Sequence, residues 1–288
     1  MNTTLGIIFA LISMAGFGLS NAISQKPIRK LGPEKVIFWR GIIVGVILTI
    51  VLLFFIPQTE FSFKYILIAL AISCIGYLPL LAFYQSLKLA KVGAVAPIAN
   101  SSLVFTVLFA SIFFKESLNQ EQLLSMLLIL IGVVLISINI KDFKSSKLFR
   151  LTSGIPYACL ACFLWGLVFF LFKIPVNVLG PFLTALLIEV GNILWSGIHL
   201  KMSKLDFKLP DKKMWYYLLA VAVGGATGTL FFNLGINVAK VSIVTAITAC
   251  SPLVAIMAGR IMYGEKLRIQ QYVAAGFILI GIIFISYF

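Results

Sequence analysis

Apolar stretches of about 20 residues recur along the chain between short polar loops, and each is long enough to cross ~30 Å of hydrocarbon as a helix. Ten can be marked, at roughly 4–24, 36–56, 65–86, 93–114, 122–140, 153–172, 182–200, 214–236, 241–263 and 270–288. Helix is the state expected for all ten, because in lipid every backbone amide and carbonyl has to be paired within its own segment. The pattern predicts an all-α integral membrane protein. The longest polar stretches, 141–152 and 201–213, are too short to fold alone. No basic segment precedes the first apolar stretch, which is also too long for the core of a signal peptide, so it counts as a span.

The pattern also occurs twice. Residues 81–139 align without a gap on 230–288, and 18 of the 59 pairs are identical, roughly three times what chance gives in so apolar a composition. Ala90-Lys91-Val92 matches Ala239-Lys240-Val241, Glu116 matches Glu265, and Leu31-Gly32-Pro33 matches Leu179-Gly180-Pro181. The expected organisation is a first five-helix repeat at 1–140, a cytoplasmic linker at 141–152 and a second five-helix repeat at 153–288. An odd number of spans per repeat puts the second copy upside down relative to the first, an arrangement found in secondary transporters.

Charge supports the same topology. The net charge of +14 could suggest nucleic acid, but loops after odd-numbered spans hold 19 Lys and Arg, and those after even-numbered spans hold 4. Short cytoplasmic loops collect Lys and Arg, so the basic side is expected inside and both termini outside, in a multi-pass protein of the cell's inner (plasma) membrane. Nucleic acid drops out as a partner. With 61% hydrophobic and 11% charged residues, the composition is that of a bilayer protein. The four cysteines all fall within spans, and Cys159 and Cys162 read as small packing residues, since no histidine or second cysteine pair accompanies them. No metal and no cofactor are expected.

The second half carries Leu164-Trp165-Gly166 followed by Lys173, the run AKVSIVTAITACSP from Ala239 to Pro252, Tyr263-Gly264-Glu265-Lys266-Leu267, and Gln271 with Gly276 and Gly281. The first half has weaker copies: Gly16 and Gly18, Arg40, Lys115-Glu116-Ser117-Leu118, Gln122 and Gly132. In order and spacing these residues resemble the EamA family of the drug/metabolite transporter superfamily, ten-helix type, over almost the whole chain. The resemblance implies transport of amino acids, sugars, nucleosides, drugs or other metabolites. The chain departs from the pattern where Leu103 stands opposite Pro252 and Phe17 opposite Trp165, so the fourth span is expected to be straighter than the family pattern, with Pro97 able to bend it nearer its start.

One acid lies well inside a span. Glu189, near the middle of the seventh, costs ~2.5–3.5 kcal/mol there, so it is expected to face a cavity and serve function. Desolvation favours the protonated acid, which suits proton coupling, and the carboxylate equally suits an ammonium-bearing substrate. The structural alternative is a neutral Glu189 bonded to Asn192, one turn away. Its counterpart in the first repeat is Gly41. Arg40 is expected to snorkel to the basic interface, or else to anchor an anion at the inner mouth; helix rise puts it about 12 Å from Glu189, so no direct pair is expected.

Polar residues inside spans outline the expected pathway. The expected substrate-binding set is Glu189, Asn100, Ser101, Tyr77, Tyr84, Trp165, Asn192, Asn233, Thr248 and Ser251. Thr227, Thr245 and Asn237 extend it, while His199, at the basic end of the seventh span, receives no role. Pro97, Pro252, Gly132 and Gly281 are expected to act in bending and packing.

No catalytic constellation appears, so an enzyme is not expected. The absence of a Gly-x-x-x-x-Gly-Lys-Ser/Thr loop excludes ATP use by this chain itself. The favoured reading is a secondary transporter, exporting small metabolites such as amino acids by alternating access, possible with proton coupling. The alternatives are a lipid or head-group flippase and a sugar or nucleoside transporter of the same fold. Monomer and homodimer fit the sequence equally well.

Overall fold

The structure, a computed structural model, describes residues 2–56, 60–90, 92–137, 153–263 and 268–287. The expected linker at 141–152 and Glu265 lie outside the described residues. The described chain is helical: α1 (Thr3–Leu31), α2 (Pro33–Phe55), α3 (Phe63–Leu89), α4 (Val92–Asn100), α5 (Leu103–Phe113), α6 (Gln120–Ser137), α7 (Ile155–Leu171), α8 (Lys173–Met202), α9 (Lys212–Val238), α10 (Val241–Thr248), α11 (Ser251–Tyr263) and α12 (Ile269–Tyr287). Among the described residues, taking α4 with α5 and α10 with α11, eight spans are long and apolar enough to cross a bilayer, and α6 and α7 are shorter apolar helices. Leu53, Phe54, Ile112, Phe113 and Ile283 point outward and are exposed, a surface suited to lipid.

The repeats pack on each other through matched contacts: α1 on α9 is repeated by their counterparts α7 on α3, and α2 packs on its counterpart α8, as α6 does on α12. Hydrogen bonds fix their directions. The amide of Asn2, before α1, donates to Val238 O at the end of α9, whereas Gln25 and Arg29 near the end of α1 donate to Ala90 O at the end of α3. The counterpart helices α3 and α9 therefore end on opposite faces, so the second repeat is inverted relative to the first.

The same contacts recur under that inversion. Gln25 Nε2 donates to Leu87 O and Ala90 O, and Lys173 Nζ donates to Ile236 O and Ala239 O, each completing the last carbonyls of its neighbouring helix. A Cβ on Gly18 would lie 2.6 Å from Ser251 O, and one on Gly166 would lie 3.0 Å from Ser102 O. A Cβ on Gly132 would lie against Ile278 and one on Gly281 against Ile129, so these two glycines sit where α6 packs on α12. Both Gly-Pro corners have the backbone that glycine favours, with φ of 89° at Gly32 and 77° at Gly180; the latter bends α8 before Pro181.

The fourth span is broken like the ninth, contrary to the expectation that it would be straighter. The breaks fall at Ser101–Ser102 and at Ala249–Cys250. In the ninth, Pro252 brings no N–H to the preceding turn. In the fourth, which lacks that proline, Asn100 Nδ2 donates to Ala96 O and Ser101 Oγ to Pro97 O, so side chains take over carbonyls that the helix would otherwise use. Tighter bonds from Ser102 N to Ala99 O and from Val104 N to Ser101 O complete the turn.

On the lysine-poor face the two repeats are tied by Glu116, which accepts from Val241 N at 2.9 Å, Ser242 N at 3.1 Å and Ser242 Oγ at 2.7 Å. These groups open α10, so the carboxylate both satisfies unpaired amides and meets the positive end of that helix. Glu116→Ala is expected to cost about 1–2 kcal/mol, read as a lower midpoint of unfolding in detergent. An unchanged midpoint would show that the tie contributes nothing. On the lysine-rich face, Lys30 pairs with Asp211 and Lys35 with Asp206, and these hydrogen bonds hold both carboxyls below the ordinary range. Such exposed pairs contribute little to stability.

Candidate functional site

A cavity of about 110 Å3 opens between the two repeats, against the breaks in the fourth and ninth spans. Its walls are repeat counterparts: Phe17 with Trp165, Gly76 with Gly225, Phe83 with Phe232, Tyr84 with Asn233, and Ser102 with Ser251. Close packing of α1 on α9 and of α7 on α3 brings these faces together.

At its centre Arg40 of α2 donates from Nη2 to Glu189 Oε1 of α8 at 2.6 Å. Both residues are almost fully enclosed, 5% and 2% exposed. The direct pair overturns the expectation of a snorkelling Arg40 separated from Glu189. Helix rise measures backbone height alone, whereas the guanidinium stands at the end of a long stem and turns inward along the contact between α2 and α8. The position is telling: Arg40 is the residue before Gly41, the sequence counterpart of Glu189, so the pair joins nearly equivalent points of the two repeats. Replacing an isolated acid with an ion pair also supplies the counter-charge that a charge in hydrocarbon requires.

Further polar groups close around the pair. Asn192 Nδ2 donates to Glu189 Oε2 at 3.4 Å and Thr229 Oγ1 to Glu189 Oε1 at 3.5 Å, and Tyr84 lines the same cavity as the pair. Several cavity-lining atoms remain without a protein partner: Arg40 Nε, Asn192 Oδ1, Asn233 Oδ1, Thr245 Oγ1 and Thr248 Oγ1. Buried polar atoms are nearly always paired, so a cluster lining one cavity is suited to a polar guest. Aromatic rings line the same cavity, with Trp165 stacked on Phe169 at 20° and Phe169 tilted against Phe232 at 4.9 Å. Phe17, Phe83 and Phe172 extend this wall. The cavity is thus amphipathic, lined by a charged pair and by aromatic rings.

Eight of the ten residues expected in the site line it: Glu189, Asn100, Tyr84, Trp165, Asn192, Asn233, Thr248 and Ser251. Ser251 Oγ donates to Asn100 Oδ1 at 3.1 Å, joining the two helix breaks. Ser101 and Tyr77 are outside the lining. Ser101 turns back onto its own helix, and the Tyr77 hydroxyl lies 2.7 Å from His199 Nδ1, giving the histidine a partner that sequence reading had not supplied. Thr227 back-bonds to Val223 O and is not among the lining residues, and Asn237 is exposed. Cys162 is buried, but Cys159 is exposed, so only the former packs inside the protein. Sequence reading missed Phe83, Phe169, Phe172, Phe232 and Gly225. The duplication offered a signal, because Phe83/Phe232 and Gly76/Gly225 are matched pairs.

Comparison with known proteins gives a consistent picture. A model of the EamA-like transporter family matches the chain twice, over residues 4–138 and 152–287. An uncharacterised protein of Methanocaldococcus jannaschii is 32% identical over 101 residues, which span 34% of this chain and 72% of that protein. A protein of known crystal structure superposes with a TM-score of 0.73 over 98% of this chain and 95% of its own, at 14% identity. At that identity the likeness shows the fold alone.

Proposed function

Because the chain belongs to the EamA-like transporter family, we propose that it is a secondary transporter exporting small amphipathic metabolites, amino acids foremost, by alternating access. The observation that carries the cargo class is the enclosed Arg40–Glu189 pair and a set of aromatic rings lining one cavity. Such a cavity offers an anion site, a cation site and an apolar surface within the span of one small molecule. The inverted repeats support rocking about the cavity, with the broken fourth and ninth spans as the bending elements, and Pro97 and Pro252 beside the breaks. The distribution of Lys and Arg supports a cytoplasmic side for the lysine-rich face, in the inner (plasma) membrane.

Glu189 is the proposed site of proton coupling. When a cargo carboxylate engages Arg40, Glu189 is left to meet an ammonium group or to take up a proton. Glu189→Gln is expected to leave the protein folded, since an amide oxygen can still accept from Arg40, and to abolish the dependence of transport on an imposed pH gradient. Retention of that dependence would remove Glu189 from the coupling role.

The cargo is tested by counterflow in proteoliposomes preloaded with a mixed amino-acid pool. Accumulation of one or a few labelled amino acids is the expected result. No accumulation by a folded protein would remove amino acids and bring forward sugars, nucleosides or lipid head groups.

A further inference from the structure

On the lysine-poor face a second pocket, of about 400 Å3, is lined by Lys115, Lys173, Lys240 and Glu116, with Phe114 and Asn177. None of these residues lines the central cavity. The loops of this face hold 4 Lys and Arg, and three of them meet at this one pocket. Lys173 Nζ donates to Ile236 O and Ala239 O, and Lys240 Nζ to Ser117 O, but a carbonyl accepts a hydrogen bond without cancelling the charge. Glu116, the carboxylate in the lining, is taken up by Val241 N, Ser242 N and Ser242 Oγ at the start of α10. Among the described residues no carboxylate pairs with any of the three lysines. The lining thus sets three positive charges against one negative.

Two of these lysines run against the topology. Lys115 aligns with Gly264 and Lys173 with Gln25, both on the lysine-rich face, so in each case the basic residue stands on the side where Lys and Arg are otherwise scarce. Gln25 donates to two helix-end carbonyls just as Lys173 does, so that contact does not itself require a charge. Lys115 holds a left-handed backbone, with φ of 53°, which glycine, the residue at its counterpart position, adopts at less cost. A lysine held in a conformation that suits glycine points to a use for its side chain.

We propose that this pocket is an anion site for a phosphate group, held by Lys115, Lys173 and Lys240. Lysine binds phosphate as a point charge, and basic pockets between membrane helices take lipid head groups. Ile112 and Phe113, next to the pocket at the end of α5, are 60% and 67% exposed and offer acyl chains an apolar surface. An anionic lipid and free inorganic phosphate bring the same chemistry to the lysines. Lys115 belongs to the first repeat and Lys173 and Lys240 to the second, so a bound phosphate joins the repeats beside the Glu116 tie and stabilises their contact.

The test uses the full chain in a neutral detergent and follows its melting temperature as dioctanoyl phosphatidylglycerol, dioctanoyl phosphatidylcholine or sodium phosphate is added at constant ionic strength. Phosphatidylglycerol is expected to raise it saturably, and phosphatidylcholine, whose own ammonium offsets its phosphate, to raise it far less. Stabilisation by phosphatidylglycerol alone assigns the site to a lipid; stabilisation by inorganic phosphate as well assigns it to the phosphate group itself. Lys115→Gly and Lys173→Gln each install the residue of the other repeat. The double variant is expected to need about tenfold more anion for half the effect, the size of a lost hydrogen bond to a charged group. Its melting temperature without anion is expected to stay near wild type, because glycine relieves the backbone and the amide keeps the carbonyl contacts.

An unchanged half-effect concentration in the double variant would overturn the proposal. So would equal stabilisation of wild type by the two lipids, since that is adsorption of acyl chains, or no stabilisation by either phosphatidylglycerol or phosphate. If Lys173→Gln lowers the starting melting temperature, Lys115→Gly alone decides: a severalfold rise in the half-effect concentration supports the site, and no rise overturns it.

Discussion

Arg40→Met is expected to lower the unfolding free energy in detergent by about 3–5 kcal/mol, because it strands the Glu189 carboxylate in an enclosed site. The groups that remain are poor substitutes: Asn192 at 3.4 Å and Thr229 at 3.5 Å are long, neutral contacts. Replacing both charges, as in Arg40→Met with Glu189→Leu, removes the stranded ion as well as the pair. That double variant is expected to regain most of the lost stability, since burying a pair costs nearly what its attraction returns. It is also expected to transport nothing, because the anion and cation sites have gone together. Unfolding midpoints for the two single variants and the double, with counterflow on each folded protein, complete the cycle. If the double is as unstable as the worse single, the charges do not act on each other, and the pair is not the element that joins the repeats. If it is stable and still transports, the cargo does not need the charges.

The course of the chain through the membrane was legible because two strong signals agreed. Apolar length marks spans wherever lipid is the solvent, and the recurrence of Leu-Gly-Pro and Ala-Lys-Val shows which spans correspond. The site was legible in its polar part for a related reason: Asn100, Asn192 and Asn233 are costly in hydrocarbon unless they face a cavity or one another. What could not be read was the direction in which a long side chain turns. Arg40 lies near enough to the basic interface for snorkelling to be a sound expectation, and only the packing of α2 on α8 turns it inward. The break in the fourth span was hidden similarly, because asparagine and serine achieve there by hydrogen bonds to the backbone what proline achieves in the ninth. The aromatic wall was obscured by abundance, with 25 Phe in 288 residues offering no means of separating cavity rings from those facing lipid.

Gly16→Leu is expected to prevent folding altogether, whereas Gly276→Leu is expected to be tolerated. A Cβ on Gly16 would lie 2.7 Å from Gly228 N and 2.8 Å from Gly224 O, and one on Gly224 would lie 2.8 Å from Gly16 O. The atoms in the way are backbone, which cannot rotate aside, so the penalty should exceed the ~1–3 kcal/mol typical of overpacking in a core. At Gly276 a Cβ would meet nothing within 4 Å. The contrast separates close approach from any general intolerance of leucine in place of glycine, which in a helix otherwise favours the substitution by up to about 1 kcal/mol. The consequence reaches the cavity, because the spacing of α1 and α9 sets how Phe17 of one helix faces Thr229 and Asn233 of the other. Small residues allow two helices to approach this closely, and without a hydrophobic force between helices in lipid, that packing carries the association. The measurement is the yield of monodisperse protein after detergent extraction, with the melting temperature of whatever is recovered. Recovery of Gly16→Leu at the wild-type yield and melting temperature would mean that α1 and α9 can separate at no cost, and the contact would no longer account for the shape of the site.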